Sequence, residues 1–253
     1  MDCLVLAGGR PLPSDPLFAE TRGRQKAAID LAGRMMIDRV LGAVTGARHI
    51  DRIVLVGLDD DIRVDGRVTR VPDRGSLTDN LYAGLEHLPR TRPAAYCWSD
   101  IPLVTPAMLD RFIERVADPD LDVNAGLVPK ADILARYPDA SDLWLRFAEG
   151  AFIAADFGLF HPRHAARLRP HIAALAPQRK SAWRQALTVG LPLLFRFASG
   201  RLTMPELEQR LARRYGLRCG LHVVRDPELG LDVDSPGNLA VCRRALESRE
   251  AAP

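Results

Sequence analysis

Between Cys3 and Val128 the chain alternates short, continuous apolar runs with longer amphipathic stretches, and that rhythm admits few architectures. An apolar run of about four to eight residues suits a buried strand, whereas apolar residues three and four apart mark one face of a helix. The rhythm predicts strands at Cys3 to Leu6, Ile53 to Val56, Ala94 to Trp98 and Val123 to Val128. Helices are predicted at Met35 to Val44, Leu77 to Leu88 and Pro106 to Val116, the last with Thr105 as its cap. Strands and helices in alternation wind into a mostly parallel sheet covered by helices.

The second half is less regular. Leu143 to Phe160 reads as an extended or hairpin region broken at Glu149-Gly150, and Arg163 to Leu175, Trp183 to Phe197 and Met204 to Tyr215 read as helices. Pro170, Pro177, Pro192 and Pro205 punctuate this stretch, each ending or kinking the helix before it. The chain closes with a strand at Leu221 to Val224, a loop carrying Asp232-Val233-Asp234-Ser235-Pro236, and a helix from Pro236 to about Glu247. With no repeat or low-complexity linker, the simplest organisation is one domain over residues 1–253 with a helical insertion at about 163–215.

Composition removes several function classes. A length of 253 residues with 47% apolar content suffices for a proper core. The 35 basic and 32 acidic residues nearly cancel, which gives no general drive toward nucleic acid. Cys3, Cys97, Cys219 and Cys242 are too scattered for a zinc or redox motif, so buried thiols are expected. No secretory pattern is visible, and Ala186 to Ala198, broken by Gly190, Pro192 and Arg196, is too short to span a membrane. A cytoplasmic protein is expected, with its oligomeric state open.

The residues suited to chemistry lie at predicted strand ends, where ligands collect in open α/β sheets. Gly8-Gly9 follows the first strand and lets backbone N–H groups approach an anion, although a glycine pair alone is more often a plain turn. Arg10 adds a guanidinium suited to phosphate, and Arg22, Arg24 and Lys26 add further cations in the same segment. Asp100 follows the strand ending at Trp98 and is a candidate ligand for a hard cation. Asp234 is another, although either Asp234 or Ser235 could cap the final helix. His161 and His164 straddle Pro162 and are expected in a surface turn rather than around a metal.

In order, Leu6-Ala7-Gly8-Gly9-Arg10, a lysine, Gly33-Arg34-Met35-Met36-Ile37, Ser99-Asp100-Ile101-Pro102-Leu103 and Asp232-Val233-Asp234-Ser235-Pro236 resemble the MobA-like nucleotidyltransferases. These are relatives of molybdenum cofactor guanylyltransferases and sugar nucleotidyltransferases, and the resemblance runs from Leu6 to Leu239. It implies a Rossmann-like three-layer mixed sheet of the nucleotide-diphospho-sugar transferase (GT-A) type. It further implies that Leu6, Ala7, Gly8, Gly9 and Arg10 hold nucleotide phosphates, that Lys26 neutralises them, and that Gly75, Ser76 and Asn80 face base and ribose. Asp100 and Asp234 would bind magnesium, with Asp232 the rival of Asp234, since side chains two apart on an extended segment point the same way.

Met35 stands where many relatives in this family have proline, which bears on packing, and the chain departs from the family pattern in two further places. About fifteen residues, including Pro11, Pro13 and Pro16, separate Arg10 from Lys26, and Ala154-Ala155-Asp156 stands where a glycine-rich segment ending in asparagine is the rule. The expected partners are a nucleoside triphosphate and a phosphorylated small-molecule acceptor, with no nucleic acid. The rival readings are a nucleotide-sugar glycosyltransferase, which normally carries an Asp-x-Asp after its central strand, and a non-catalytic nucleotide-binding module.

Overall fold

The computed structural model describes residues 1–21, 23–64, 68–165, 168–170, 196 and 199–250. In chain order it runs β1 (Asp2–Leu6), α1 (Phe18–Thr21), β2 (Asp30–Leu31), β3 (Arg34–Met35), α2 (Met36–Gly46), β4 (Arg52–Val56), β5 (Val68–Val71), α3 (Leu77–Leu85) and β6 (Ala94–Trp98). It continues through α4 (Pro106–Arg115), β7 (Val123–Pro129), α5 (Lys130–Arg136), β8 (Leu145–Phe147), β9 (Gly150–Phe160), α6 (Met204–Tyr215), β10 (Cys219–Val223) and α7 (Pro236–Glu250). The main sheet is ordered β10-β7-β9-β6-β1-β4-β5, with β8 paired to β9.

The apolar runs form strands because both of their faces are covered. Along β1, Cys3 and Val5 enter one core with α2 and α4, while Leu4 and Leu6 enter a second core against α3. A strand buried on both sides must be apolar throughout, as in parallel sheets generally. On the larger side Phe112 of α4 meets Phe157 of β9 edge to face, with centroids 5.5 Å apart. β1, β4, β5 and β6 are mutually parallel, and β9 runs antiparallel to both β6 and β7. This mixed, helix-covered sheet is the Rossmann-like architecture implied by the resemblance.

Some local expectations are corrected. The four-residue strand β5 lies half-buried at the sheet edge, and with Thr69 and Arg70 at its middle, the latter donating to the Leu58 and Asp59 carbonyls, it leaves no continuous apolar signal. α5 is short, and α3 ends at Leu85 rather than Leu88. Thr105 does occupy the cap position of α4, but its side chain makes no capping hydrogen bond, and Pro106 opens the helix instead. His161 is buried rather than in a surface turn, with Nδ1 accepting from the Arg163 backbone N–H, while His164 lies 3.6 Å from Asp122. Cys3, Cys97 and Cys242 are buried and Cys219 half-buried, all as thiols. The predicted helices from Arg163 to Leu175 and Trp183 to Phe197 lie largely outside the described residues; Met204–Tyr215 is helical, capped reciprocally by Thr203 and Glu206.

Asp122 ties these layers together. Its buried carboxylate accepts from Arg163 Nε at 2.9 Å and from the Arg218 backbone N–H at 2.8 Å. Burial alone would raise its pKa, but these donors and the nearby cations hold it below the ordinary 3.8. A carboxylate whose folded pKa is depressed stabilises the protein above its unfolded pKa and loses that contribution as pH falls through the folded value. Thermal midpoints measured below about pH 4 should therefore drop less steeply in Asp122→Asn than in the wild type. An identical slope would refute this role. At pH 7 the substitution should cost about 3 kcal/mol.

Candidate active site

β1 pairs in parallel with β6 so that Leu6 stands beside Trp98, and with β4 so that Leu6 also stands beside Val56. Three chain segments therefore leave the sheet at the same edge: Ala7-Gly8-Gly9, Ser99-Asp100 and Gly57. The chain moves to opposite sides of β1 on reaching β4 and β6, which opens a crevice at this edge.

A cavity of about 190 Å³ occupies the crevice. Leu6, Ala7, Gly8, Gly9, Lys26, Gly75, Ser76, Asn80 and Asp100 all line it, so the residues expected to hold the nucleotide converge from widely separated positions. Gly8 is confined by its neighbours, since a Cβ there would strike Asn80 Nδ2. The Asn80 amide is itself engaged, donating to Asp73 Oδ1 at 2.8 Å and accepting from the Arg74 N–H at 2.6 Å. Asn80 thus fixes the 73–75 turn as the wall facing the glycines. Ser76 caps α3, its Oγ accepting from the Asp79 N–H at 3.0 Å.

Lys26 reaches this cavity despite its long spacer. Its backbone N–H donates to Gly9 O at 3.0 Å, so residues 10–25 form an excursion that closes on itself. Gln25 anchors the excursion from inside, donating to Gly57 O and accepting from the Asp59 N–H. Arg10 and Arg24 anchor it outside, at 2.5 Å from Asp59 and 3.0 Å from Asp61. Arg10 is therefore held on Asp59 and is absent from the cavity lining.

Gly57, Gln25 and Asp59 carried no signal in a single sequence, because their roles depend on which strands are neighbours. Gly57 has φ +84°, and a Cβ there would lie 2.6 Å from Gly8 Cα. Gly57→Ala should lower stability by at least about 2 kcal/mol by combining left-handed strain with overpacking. Urea unfolding measures this, and an unchanged midpoint would refute the close approach.

Beyond the cavity lies a group of carboxylates. Oxygens of Asp100, Asp232 and Asp234 come within 4.8 Å of one another. Val233 is fully buried between the last two and its N–H donates to Asp100 O at 2.9 Å, which turns both flanking side chains toward Asp100. Capping of α7 falls to Ser235, whose Oγ accepts from the Asn238 N–H at 3.1 Å. Lys26 Nζ bridges Asp100 Oδ2 at 2.8 Å and Asp234 Oδ1. Burial would depress the ammonium pKa, but these two carboxylates raise it well above the ordinary lysine value.

Two further carboxylates join the group. Asp156 on β9 precedes Phe157, the partner of Cys97 on β6, so it lies beside the end of the strand that delivers Asp100. Desolvation first, then the Asp100 charge, pushes its pKa well above the carboxylate range. Asp142 hydrogen-bonds Asp232 and is raised mainly by desolvation. Asp232 is pushed up to about 10, by burial and then by Asp156 and Asp100.

A divalent metal fits these donors. Asp100 Oδ1 and Asp232 Oδ1 are buried with no hydrogen-bond partner, and such oxygens are costly unless a cation or proton meets them. All the donors are hard carboxylate oxygens, which suits magnesium.

Comparison with known proteins decides what this geometry belongs to. The family model described as the MobA-like NTP transferase domain matches residues 3–225. The chain belongs to the MobA-like NTP transferase family. It is thus a nucleotidyltransferase, and the crevice at the carboxyl ends of β1 and β6 is the part of the family fold expected to bind nucleotide.

Among solved structures, a hypothetical transferase from Thermus thermophilus is 30% identical, with a TM-score of 0.81 over 94% of this chain and 98% of that one. A nucleotidyl transferase from Methanothermobacter thermautotrophicus is 18% identical, with a TM-score of 0.56 and 98% of each chain covered. A 4-diphosphocytidyl-2C-methyl-D-erythritol synthase from Anaerococcus prevotii is 12% identical, with a TM-score of 0.57 and 97% of each covered. The last two share the fold of this MobA-like chain. No curated protein is matched. Among the described residues no helix is long and apolar enough to cross a membrane.

Proposed function

We propose that this chain moves a nucleoside monophosphate from a nucleoside triphosphate to a phosphorylated small-molecule acceptor, with magnesium bound and pyrophosphate released. One observation carries the reading: Asp100 both lines the glycine-walled cavity and belongs to the carboxylate group with Asp232 and Asp234. A triphosphate against Gly8 and Gly9 would thereby have its phosphates beside Lys26 and the carboxylates.

The acceptor oxygen attacks the α-phosphorus in line, forming a new P–O bond as the bond to pyrophosphate breaks. A phosphate acceptor is already ionised, so no general base is required, and positioning with charge stabilisation does the work. Asp100 and Asp234 would hold the ion, with Asp232 completing the set. When bound, magnesium neutralises charge on the transferring phosphoryl group. Lys26, displaced from the two aspartates, offsets charge on the departing pyrophosphate, and Arg10 does so once it exchanges Asp59 for phosphate oxygens. The glycines bring backbone N–H groups to the phosphates.

The test is pyrophosphate release from each of the four ribonucleoside triphosphates with magnesium, against molybdopterin, sugar phosphates and phosphorylated alcohols. One triphosphate should support release only when its acceptor is present. Magnesium-dependent triphosphate binding without release on any acceptor would overturn the reading in favour of a non-catalytic module.

A further inference from the structure

Asp100 and Asp232 arrive on two separate loops, and magnesium tolerates little error in how such loops stand apart. Its ligands sit at about 2.0–2.1 Å in near-ideal octahedral geometry, and a constellation of this kind must be held to within about 0.5 Å. The apolar side chains of the loops fix their depth, since Ile101, Leu103, Leu229, Leu231 and Val233 are all buried. Apolar packing is non-directional, so the separation between the loops falls to polar ties.

One tie is the Val233 N–H on Asp100 O at 2.9 Å. The other runs through Arg249, in the last turn of α7. Its Nη1 donates to Leu103 O at 2.8 Å and its Nη2 to Glu228 Oε1 at 2.9 Å. Leu103 ends the Ser99-Asp100-Ile101-Pro102-Leu103 segment, and Glu228 belongs to the single 3-10 turn, Pro227–Gly230, that leads into Asp232. The two ties and the chain between them make a closed ring: Asp100 to Leu103, then Arg249, then Glu228 to Val233, and back to Asp100. Asp232 lies on that ring and Asp234 directly follows it.

The Glu228 end of the tie is firmly built. Glu228 is wholly buried, and its Oε1 also accepts from the Tyr137 hydroxyl at 2.9 Å, with Arg136 Nε at 3.1 Å. Its Oε2 is buried without a hydrogen-bond partner among the described residues, so the donors converge on the one oxygen that Arg249 reaches. The turn is seated on the sheet, since a Cβ at Gly230 would lie 2.6 Å from Ile153 Cγ2 and 3.1 Å from Val128 Cγ2. A planar guanidinium serves acceptors on two loops at once, whereas a lysine ammonium is a point charge on a flexible stem. Neither Arg249 nor Glu228 lines the nucleotide cavity.

We propose that Arg249 is a positioning residue for the metal site: by clamping the Leu103 carbonyl to Glu228, it sets the distance between the loop of Asp100 and the loop of Asp232 and Asp234. Without it the ring opens, and one backbone hydrogen bond is left to hold the two loops together. Arg249 acts through these loops rather than on the nucleotide. The inference rests on the proposed magnesium site, and its test needs no turnover.

Titrating the full chain with Mn2+ and following the free ion by electron paramagnetic resonance gives the metal affinity, and triphosphate affinity is measured separately in EDTA. Arg249→Met should weaken Mn2+ at least about tenfold and leave metal-free triphosphate binding within about twofold, because the clamp contributes nothing to the cavity lining. Arg249→Lys keeps the charge without the fork and should still weaken Mn2+ at least about threefold. Thermal unfolding monitors folding of each variant, and Arg249→Lys, at a partly exposed side chain, decides the matter if Arg249→Met does not fold. Wild-type Mn2+ affinity in the folded variants, even with a lower unfolding temperature, would overturn the proposal and leave Arg249 a structural contact. Equal losses of Mn2+ and of metal-free triphosphate binding would overturn it as general loosening. A wild-type chain that binds no Mn2+ would sink the magnesium reading with it, whereas the expected Mn2+ losses without pyrophosphate release on any acceptor would sink the transfer reading alone.

Discussion

Asp100→Asn is expected to lower turnover at least about a hundredfold while triphosphate binding partly survives. The amide keeps the shape of the side chain but loses its charge, and Asp100 stands where the nucleotide cavity and the carboxylate group meet. Its Oδ2 lies 2.8 Å from Lys26 Nζ and its Oδ1 is buried without a partner. Binding should survive in part because the glycine turn and the Gly75-Ser76 wall are independent of that charge. Steady-state kinetics and a direct measure of triphosphate affinity separate the two effects. Wild-type turnover in Asp100→Asn would sink the assignment of Asp100 to the chemistry.

Lys26→Met should lower turnover by about the same factor, yet tighten binding of magnesium to the protein without nucleotide. The sign of the second effect follows from the geometry. Lys26 Nζ bridges Asp100 and Asp234, so the ammonium occupies the place a divalent ion would take, and ion and ammonium compete for the same oxygens. Methionine retains most of the apolar stem and removes the competitor. Once a triphosphate enters, the absent cation costs charge compensation on the phosphates, and turnover falls. Calorimetric titration of magnesium into the apoprotein checks the first part, and weaker binding in Lys26→Met would refute competition.

Much of the site was legible because strand ends are legible. The apolar runs ending at Leu6 and Trp98 announced where Gly8-Gly9 and Ser99-Asp100 would leave the sheet. The spacing of Asp232 and Asp234 around Val233 left open which aspartate joins Asp100, and both do. The proline-rich spacer before Lys26 concealed its proximity to Gly9, because a closed excursion depends on one backbone hydrogen bond and the anchoring of Gln25. Asp156 read only as a departure from a pattern. Its nearness to Asp100 depends on the antiparallel pairing of β9 with β6, and pairing between strands so distant in sequence has no local signature.

The sequence by itself determined the alternating α/β architecture, the glycine turn and the acidic residues at strand ends, since each depends on burial periodicity or on local backbone freedom. Tertiary structure alone decided that Arg10 rests on Asp59, that Lys26 sits between Asp100 and Asp234, and that Asp142 and Asp156 enlarge the carboxylate group. Like charges gather only where a folded sheet holds them against their repulsion, and strand order, a non-local property, sets where that happens.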